Sequence, residues 1–219
     1  MKPEVALSSI ERGISVCPPG GWAAQFFQPY AIAGRFIGNL LAWKNDAEIR
    51  FAIEALDLQP EDQVLEIGFG PGRTLGQIAA RVSRGVVIGV DHSEEMVIQA
   101  ARRHHELITS GRMQLELGGV EELPFTYKQF TKVLVANNFH LWPNQERNLV
   151  EVQRVMREGG QLVISQRMLQ TNDQHPSPPG IDEEERELIE GLLRWVGFRR
   201  VRSVRQQLAC ELVCVIAER

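Results

Sequence analysis

Hydrophobic and polar positions follow two different periods along the chain. Short runs that are apolar throughout or at every second position predict buried strands, and apolar residues at every third or fourth position predict helices between them. The predicted strands are Gln63–Ile67, Val86–Asp91, Met113–Leu117, Lys132–Ala136, Gln161–Gln166, Arg199–Val204 and Leu212–Ala217. The predicted helices are Thr74–Val82, Ser93–Thr109, Gln145–Met156 and Glu183–Val196.

The alternation of strands and helices predicts an α/β fold with a doubly wound, seven-stranded and mostly parallel sheet. The last two strands have no helix between them, only a short segment containing residues 206–211, so they should form a C-terminal antiparallel hairpin. Residues 22–58 carry apolar side chains at helical spacing, which predicts an N-terminal helical lid over the strand ends. We therefore expect a single domain, with residues 1–58 as a helical cover and residues 59–219 as a Rossmann-like core.

Composition narrows the class of protein. The 219 residues are 43% hydrophobic, enough for one substantial core, and 24 basic against 28 acidic residues give a net charge of -4. This balance provides no long-range attraction for nucleic acid or anionic lipid. The three cysteines form no C-x-x-C pair, so neither disulfides nor a metal site are expected. No signal-type segment or bilayer-spanning apolar run is present, which predicts a cytoplasmic protein without stable membrane insertion.

The segment "VLEIGFGPGRT" places three glycines directly after the first of these strands. Gly68 and Gly70 permit positive φ and let a ligand approach bare backbone, while the following helix directs its free N–H groups at that ligand. A dinucleotide loop has a further glycine where this chain has Arg73, which argues against NAD(P). Glu66, at the strand end, suits an ammonium group, or it accepts N–H groups of the turn.

The second of these strands ends at Asp91, across the crevice from the glycines. A carboxylate there can accept both hydrogen bonds of a ribose diol. Asp91 could instead cap the next helix, but Ser93 is better suited to that task. The two strand ends together predict a site for a nucleoside that carries a cation rather than a diphosphate.

Four segments in order resemble the motifs of class I S-adenosylmethionine-dependent methyltransferases, particularly the branch that methylates small molecules, quinones or lipids. They are "VLEIGFGPG" (64–72), "VIGVDHSEEMVIQAARR" (87–103), "LELGGVEELPF" (115–125) and "VMREGGQLVISQRM" (155–168). The resemblance implies S-adenosylmethionine as cofactor, a small-molecule acceptor and in-line methyl transfer that requires no metal.

The resemblance also implies a set of cofactor-binding residues: Glu66, Gly68, Gly70, Gly72, Asp91, His92, Met96, Gly119, Val120, Glu121 and Asn137. In this assignment the glycines hold the methionine moiety, Asp91 binds the ribose and Met96 packs near the adenine. Relatives carry an aspartate for the adenine amino group where this chain has Gly119. The backbone of Val120 or the side chain of Glu121 would take over that contact. Thr131 also replaces an aspartate that is common at the start of the fourth strand.

The segment "VANNFHLWPNQE" (135–146) follows the fourth strand, where cofactor and acceptor should meet. His140 is the predicted catalytic base, because an imidazole titrates near neutrality, or it packs beneath the acceptor pocket. The predicted substrate-binding residues are Asn138, His140 and the lid aromatics Trp22, Phe26 and Tyr30. His104 and His105 are predicted to lie on a solvent-exposed helix face.

The sequence thus favours an enzyme that transfers a methyl group to a small, partly apolar acceptor. Two alternatives stay open: a non-catalytic S-adenosylmethionine-binding protein, suggested by Gly119 and Thr131, and an NAD(P)-dependent oxidoreductase. Homodimer formation is left open as well.

Overall fold

A mixed sheet of eight strands forms the centre of the computed structural model, which describes residues 14–16, 46–169 and 180–219. The strands are β1 Ile14–Val16, β2 Gln63–Ile67, β3 Val86–Asp91, β4 Met113–Leu117, β5 Phe130–Ala136, β6 Met156–Arg167, β7 Arg199–Gln207 and β8 Glu211–Glu218. Their order is β1-β4-β3-β2-β5-β6-β8-β7. Of these eight strands, β8 runs opposite to the other seven, so its pairings with β6 and β7 are antiparallel. The seven predicted strands and the C-terminal hairpin are confirmed. The sequence missed β1 because three residues are too few to show a period.

The helices cover both faces of this sheet. They are α1 Asp46–Ala55, α2 Arg73–Arg81, α3 Glu94–Arg103, α4 His105–Thr109, α5 Gln145–Val155 and α6 Glu183–Val196, with a 3₁₀ turn at Phe139–Leu141. The predicted helix Ser93–Thr109 is divided in two, because His104 leaves the helical region at φ -114 and ψ 26. Of the predicted lid, α1 lies in the described part, whereas Trp22, Phe26 and Tyr30 lie outside the described residues.

Two hydrophobic clusters lie on opposite faces of the sheet. One contains Val133 of β5 together with Leu149 of α5 and Leu193 of α6. The other contains Leu134 of β5 together with buried residues of α1, α2 and α3. Adjacent strand residues point to opposite faces, so the all-apolar strands supply both clusters at once. This arrangement confirms the predicted doubly wound fold.

The strand order reverses next to β2, which determines where a ligand can bind. From β2 the chain proceeds through β3 and β4 on one side and then crosses to β5 on the other side of β2. The carboxyl ends of β2 and β5 lie side by side, with Ile67 paired to Val135. Open α/β sheets bind ligands in the crevice at such a switch point. The glycine loop after β2 and the asparagines after β5 both lie at this edge.

Candidate active site

The glycine loop between β2 and α2 has a backbone that other residues rarely adopt. Gly68, Gly70 and Gly72 have φ of 72, 55 and 75. A Cβ on Gly70 would meet nothing within 4 Å, whereas a Cβ on Gly68 would collide with the side chain of Asn138. Gly70 therefore presents bare backbone to open space, and Gly68 allows the loop to pack against the end of β5.

Asp91, at the end of β3, is bonded to this loop. Its Oδ2 accepts a 2.7 Å hydrogen bond from the backbone N–H of Gly70, and its Oδ1 accepts one of 2.9 Å from Ser93. The side chain of Ser93 caps α3 by accepting from the N–H of Met96, as the sequence predicted. Burial raises the pKa of Asp91, and the two N–H groups oppose that rise. Each carboxylate oxygen retains a second lone pair that can accept from a ligand.

Glu66 is the buried carboxyl group at the end of β2. It is 2% exposed, and its Oε2 has no hydrogen-bond partner in the described structure. Burial raises the pKa of Glu66 to about 8, the side chain of Thr74 opposes this rise and the negative charge of Asp91 adds to it. A buried oxygen without a partner is costly, so its retention here fits a site that receives a donor from a ligand.

A cavity of about 300 Å³ adjoins the glycine loop. Glu66, Gly68, Gly70 and Asn137 line it, together with residues of α1 and Ser165 of β6. Asp91 and the third-motif residues lie outside this lining, on the other side of the loop. Of the predicted methionine-end residues, Glu66, Gly68 and Gly70 therefore lie around one cavity, whereas Gly72 is not part of its lining.

Two ion pairs attach α1 to the rest of this site. Arg73, the first residue of α2, binds Asp46 of α1 at 2.8 Å. Arg167 of β6 binds Glu48 of α1 at 2.9 Å, with side-chain exposures of only 15% and 11%. Because α1 contributes Glu48 to the cavity wall, these pairs hold that wall in place. The sequence pattern had given no role to Glu48 or Arg167.

The third motif lies beside Asp91, because the N–H of Gly118 bonds the carbonyl oxygen of Asp91 at 3.0 Å. A Cβ on Gly119 would collide with the carboxylate of Glu121. The carboxylate of Glu121 therefore occupies the space that a side chain at position 119 would fill. Val120 between them is 6% exposed. Next to Asp91 on the loop side, His92 is exposed, with Nδ1 3.7 Å from Asp91 Oδ1.

Thr131 lies away from the cavity, near the amino end of β5. Its hydroxyl donates a 2.7 Å hydrogen bond to Asp62, and it accepts one of 3.0 Å from the N–H of Gln63. The carboxyl group that the sequence pattern lacks at position 131 is thus supplied by Asp62 at this end of the sheet. Thr131 therefore has a structural role at the amino end of β5. It does not contact the opposite edge of the sheet, where the carboxyl ends of the strands border the cavity.

Asn137 and Asn138 have different surroundings at the end of β5. Asn137 has φ 53 and lines the cavity, and its Oδ1 has no partner among the described residues. The side-chain amide of Asn138 donates to the carbonyl oxygens of Ile67 and Gly68, at 2.7 and 3.2 Å. Asn138 therefore supports the glycine loop. Its predicted contact with the acceptor stays a prediction.

His140 lies in the 3₁₀ turn after β5, half-buried, and it is not part of the cavity lining. Its Nδ1 is 3.3 Å from Oε1 of Gln166, a buried residue of β6. In the neutral tautomer that donates its Nδ1 hydrogen to this amide oxygen, the lone pair lies on Nε2. A proton acceptor is therefore available on the ring.

The prediction of an exposed histidine pair is wrong for His104 and correct for His105. His104 is half-buried, and its Nε2 lies 2.6 Å from the carbonyl oxygen of Gly72. The helix break at His104 explains the difference, because the ring leaves the helical course and turns toward α2. His105 is exposed at the start of α4.

None of the helices in the described ranges is both long and apolar enough to cross a bilayer.

Residues 64–160 match the methyltransferase domain family. The chain is 27% identical over 183 residues to the uncharacterized methyltransferase YdaC of Bacillus subtilis, covering 83% of this chain and 97% of that protein. It is 28% identical over 142 residues to the ubiquinone/menaquinone biosynthesis C-methyltransferase UbiE of Geotalea daltonii, covering 64% of this chain and 60% of that protein.

Among solved structures, a SAM dependent methyltransferase from Aquifex aeolicus superposes with a TM-score of 0.68 and 22% identity, covering 82% of this chain and 96% of that one. This structural likeness shows the fold. The sequence relatives show similarity to proteins named as methyltransferases. Together with the glycine loop, Asp91 and the order of the strands, these similarities support a class I S-adenosylmethionine-dependent methyltransferase.

Proposed function

We propose that the protein transfers the methyl group of S-adenosylmethionine to a small, partly apolar organic acceptor. The observation that carries this proposal is the arrangement of the glycine loop and Glu66 around one cavity, with Asp91 bonded to the same loop. Donor and acceptor groups at these positions match the cofactor along its length.

The residues present fit the cofactor group by group. The unpartnered Oε2 of Glu66 can accept from the ammonium group of the methionine end, and the bare backbone at Gly70 leaves room for the chain beside it. Asp91 can accept from the ribose hydroxyls with its remaining lone pairs. Glu121, whose carboxylate fills the place of a side chain at Gly119, is the proposed acceptor for the adenine amino group.

The bound cofactor supplies an already activated methyl group, so the protein needs mainly to align the acceptor and exclude water. Apolar side chains of Ile49, Ala52 and Phe69 form part of the cavity wall, which supports an acceptor with an apolar part. The relative UbiE is named for C-methylation in ubiquinone and menaquinone biosynthesis, which points to the same kind of acceptor.

His140 is the proposed general base for acceptors that arrive protonated. Its contact with Gln166 leaves Nε2 free to take a proton from a hydroxyl or amine. The alternative that His140 only packs beneath the acceptor pocket predicts no change in turnover when the ring is removed.

The proposed function is tested by incubating the protein with methyl-labelled S-adenosylmethionine and a fractionated host extract. We expect label in one or a few small organic products that partition partly into organic solvent. Asp91→Ala is the matched control, which should lose labelling at limiting cofactor. Saturable cofactor binding without any labelled product would favour a non-catalytic binding protein.

Two observations bear on the sequence departures that suggested this non-catalytic alternative. The departures that suggested it were Gly119 and Thr131. Glu121 occupies the space beside Gly119, and Thr131 is bonded to Asp62 at the opposite end of β5. Neither departure removes a group from the cavity, so both are compatible with an active enzyme.

A further inference from the structure

We propose that His104 is a positioning residue for the cofactor-binding loop, a role that depends on the proposed function of this site. The ring lies where α3 ends and α4 begins, and its Nε2 is 2.6 Å from the carbonyl oxygen of Gly72. A carbonyl oxygen only accepts, so Nε2 carries the hydrogen and donates it. The side chain thus connects the α3–α4 junction to the third glycine of the loop.

Glycines at two neighbouring positions leave space for the imidazole ring of His104. A Cβ on Gly76 of α2 would lie 2.7 Å from Cε1 of His104, which is closer than real Cβ contacts allow. A Cβ on Gly72 would lie 2.8 Å from Cβ of Ala100 on α3 and 3.4 Å from Cδ2 of His104. Glycines at both positions therefore allow α2 and α3 to approach closely with the imidazole between them. Gly76 is a poor helix former in a helix interior, and the space that it leaves for His104 accounts for its presence.

The hydrogen bond fixes a peptide group that faces the cofactor site. In a trans peptide the C=O and N–H vectors point in opposite directions. His104 holds the carbonyl oxygen of Gly72, so the N–H of Arg73 in the same peptide points the other way, toward the open N-terminal end of α2. That N–H is one of the unpaired donors at a helix start that bind ligands. The N–H of Gly72 itself bonds Phe69 O at 3.1 Å, which closes the loop from its other side.

Partial burial supports a neutral donor at this position. Burial lowers the pKa of His104, and the positive charge of Arg103 lowers it further. The hydrogen bond with Gly72 acts in the opposite direction and raises this pKa. This lowering of the pKa favours the uncharged ring, which acts through the directed hydrogen bond to Gly72.

The test measures affinity for S-adenosylhomocysteine by calorimetry in the wild type, His104→Ala, His104→Gln, Gly76→Ala and His105→Ala. We expect His104→Ala to bind about three- to tenfold more weakly, as loss of one hydrogen bond does. His104→Gln keeps an N–H donor at a similar reach and should recover most of the affinity. His105→Ala removes an exposed histidine next to it and should bind as the wild type does.

Gly76→Ala separates a positioning role from a general loss of stability. Its methyl group displaces the ring while alanine favours the helix, so the melting temperature should stay level or rise while affinity falls. Affinity within twofold of the wild type in both His104→Ala and Gly76→Ala would overturn the proposal, and so would a His104→Gln variant as weak as His104→Ala. If the wild type itself binds no S-adenosylhomocysteine, the proposed function fails first.

Discussion

The backbone N–H of Gly70 donates a 2.7 Å hydrogen bond to Oδ2 of Asp91. This bond joins the glycine loop after β2 to the end of β3, so the carboxylate that we propose as the ribose acceptor also shapes the loop. The group is 5% exposed, which shields the bond from water. In the proposed function, loop geometry and ribose recognition both depend on Asp91, so they should fail together.

Replacing Asp91 tests that coupling. We expect Asp91→Ala to weaken S-adenosylmethionine binding by at least ~1 kcal/mol, since charge-assisted hydrogen bonds are lost. Asp91→Asn keeps one oxygen acceptor and should fall between the alanine variant and the wild type. Calorimetric titration measures both. Unchanged affinity in Asp91→Ala would contradict the ribose assignment.

Glu66 should lose a proton when the cofactor binds. Its pKa of about 8 keeps it largely protonated at pH 7, and an ammonium group beside Oε2 would favour the carboxylate. Calorimetry in buffers of different ionisation enthalpy should therefore detect proton release at pH 7. Glu66→Gln should abolish most of that release and weaken binding, whereas equal release in both proteins would assign the proton to another group.

The same carboxyl group should make the stability of the unliganded protein fall as pH rises. The pKa of Glu66 is raised from 4.5 to about 8, so the folded protein binds more protons than the unfolded chain between these values. The stability contributed by the protonated group is full below pH 4.5 and is lost as pH approaches 8. Chemical denaturation across this range should show a smaller decline in Glu66→Gln. Parallel curves for the two proteins would show that Glu66 is not protonated in the fold.

Glu121 should contribute to cofactor binding although it lies on an exposed segment. Its carboxylate fills the space beside Gly119, the position where the family resemblance implies an adenine-binding aspartate in relatives. We expect Glu121→Ala to weaken S-adenosylhomocysteine binding about three- to tenfold, as loss of a hydrogen-bond acceptor does. The neighbouring, exposed Glu122 provides the control, because Glu122→Ala should leave affinity unchanged. Equal effects of the two substitutions would show a general charge effect instead.

His140 should affect turnover more than cofactor affinity. Removal of a positioned base typically costs about 10²- to 10⁴-fold in rate when the acceptor must lose a proton. His140→Ala should therefore lower kcat with the acceptor found in the labelling experiment, while S-adenosylhomocysteine affinity stays near that of the wild type. Raising the pH should partly restore the rate if the acceptor ionises on its own. Full activity in His140→Ala would remove the ring from the chemistry.

The sequence was sufficient for the fold because strand burial has a simple pattern. Runs such as Val133–Val135 are apolar at every position, and in the structure they supply both faces of a covered sheet. The glycine loop and Asp91 could be predicted for a similar reason. Glycines mark a backbone with positive φ, and Asp91 ends a strand that the apolar pattern predicts. Both are local features of the chain.

The contacts that the sequence missed are long-range contacts of polar side chains. Glu48 and Arg167 lie far apart in the chain, and the sequence pattern gave neither a role, so only the fold brings them together. The ring of His104 reaches Gly72 because the helix breaks at His104. The sequence did not reveal this break, because the helical pattern of apolar residues continues through it. Gly76 was the one available signal, because a glycine inside a helix usually marks a close approach.

The central claim is that the glycine loop, Asp91 and Glu66 bind the cofactor. A crystal structure of the protein with S-adenosylhomocysteine tests this claim most directly. We predict ribose hydroxyls within hydrogen-bond distance of Asp91 and the ammonium group beside Oε2 of Glu66, with the methionine chain along Gly68 and Gly70. A ligand bound elsewhere, or a ribose that leaves Asp91 uncontacted, would contradict the account.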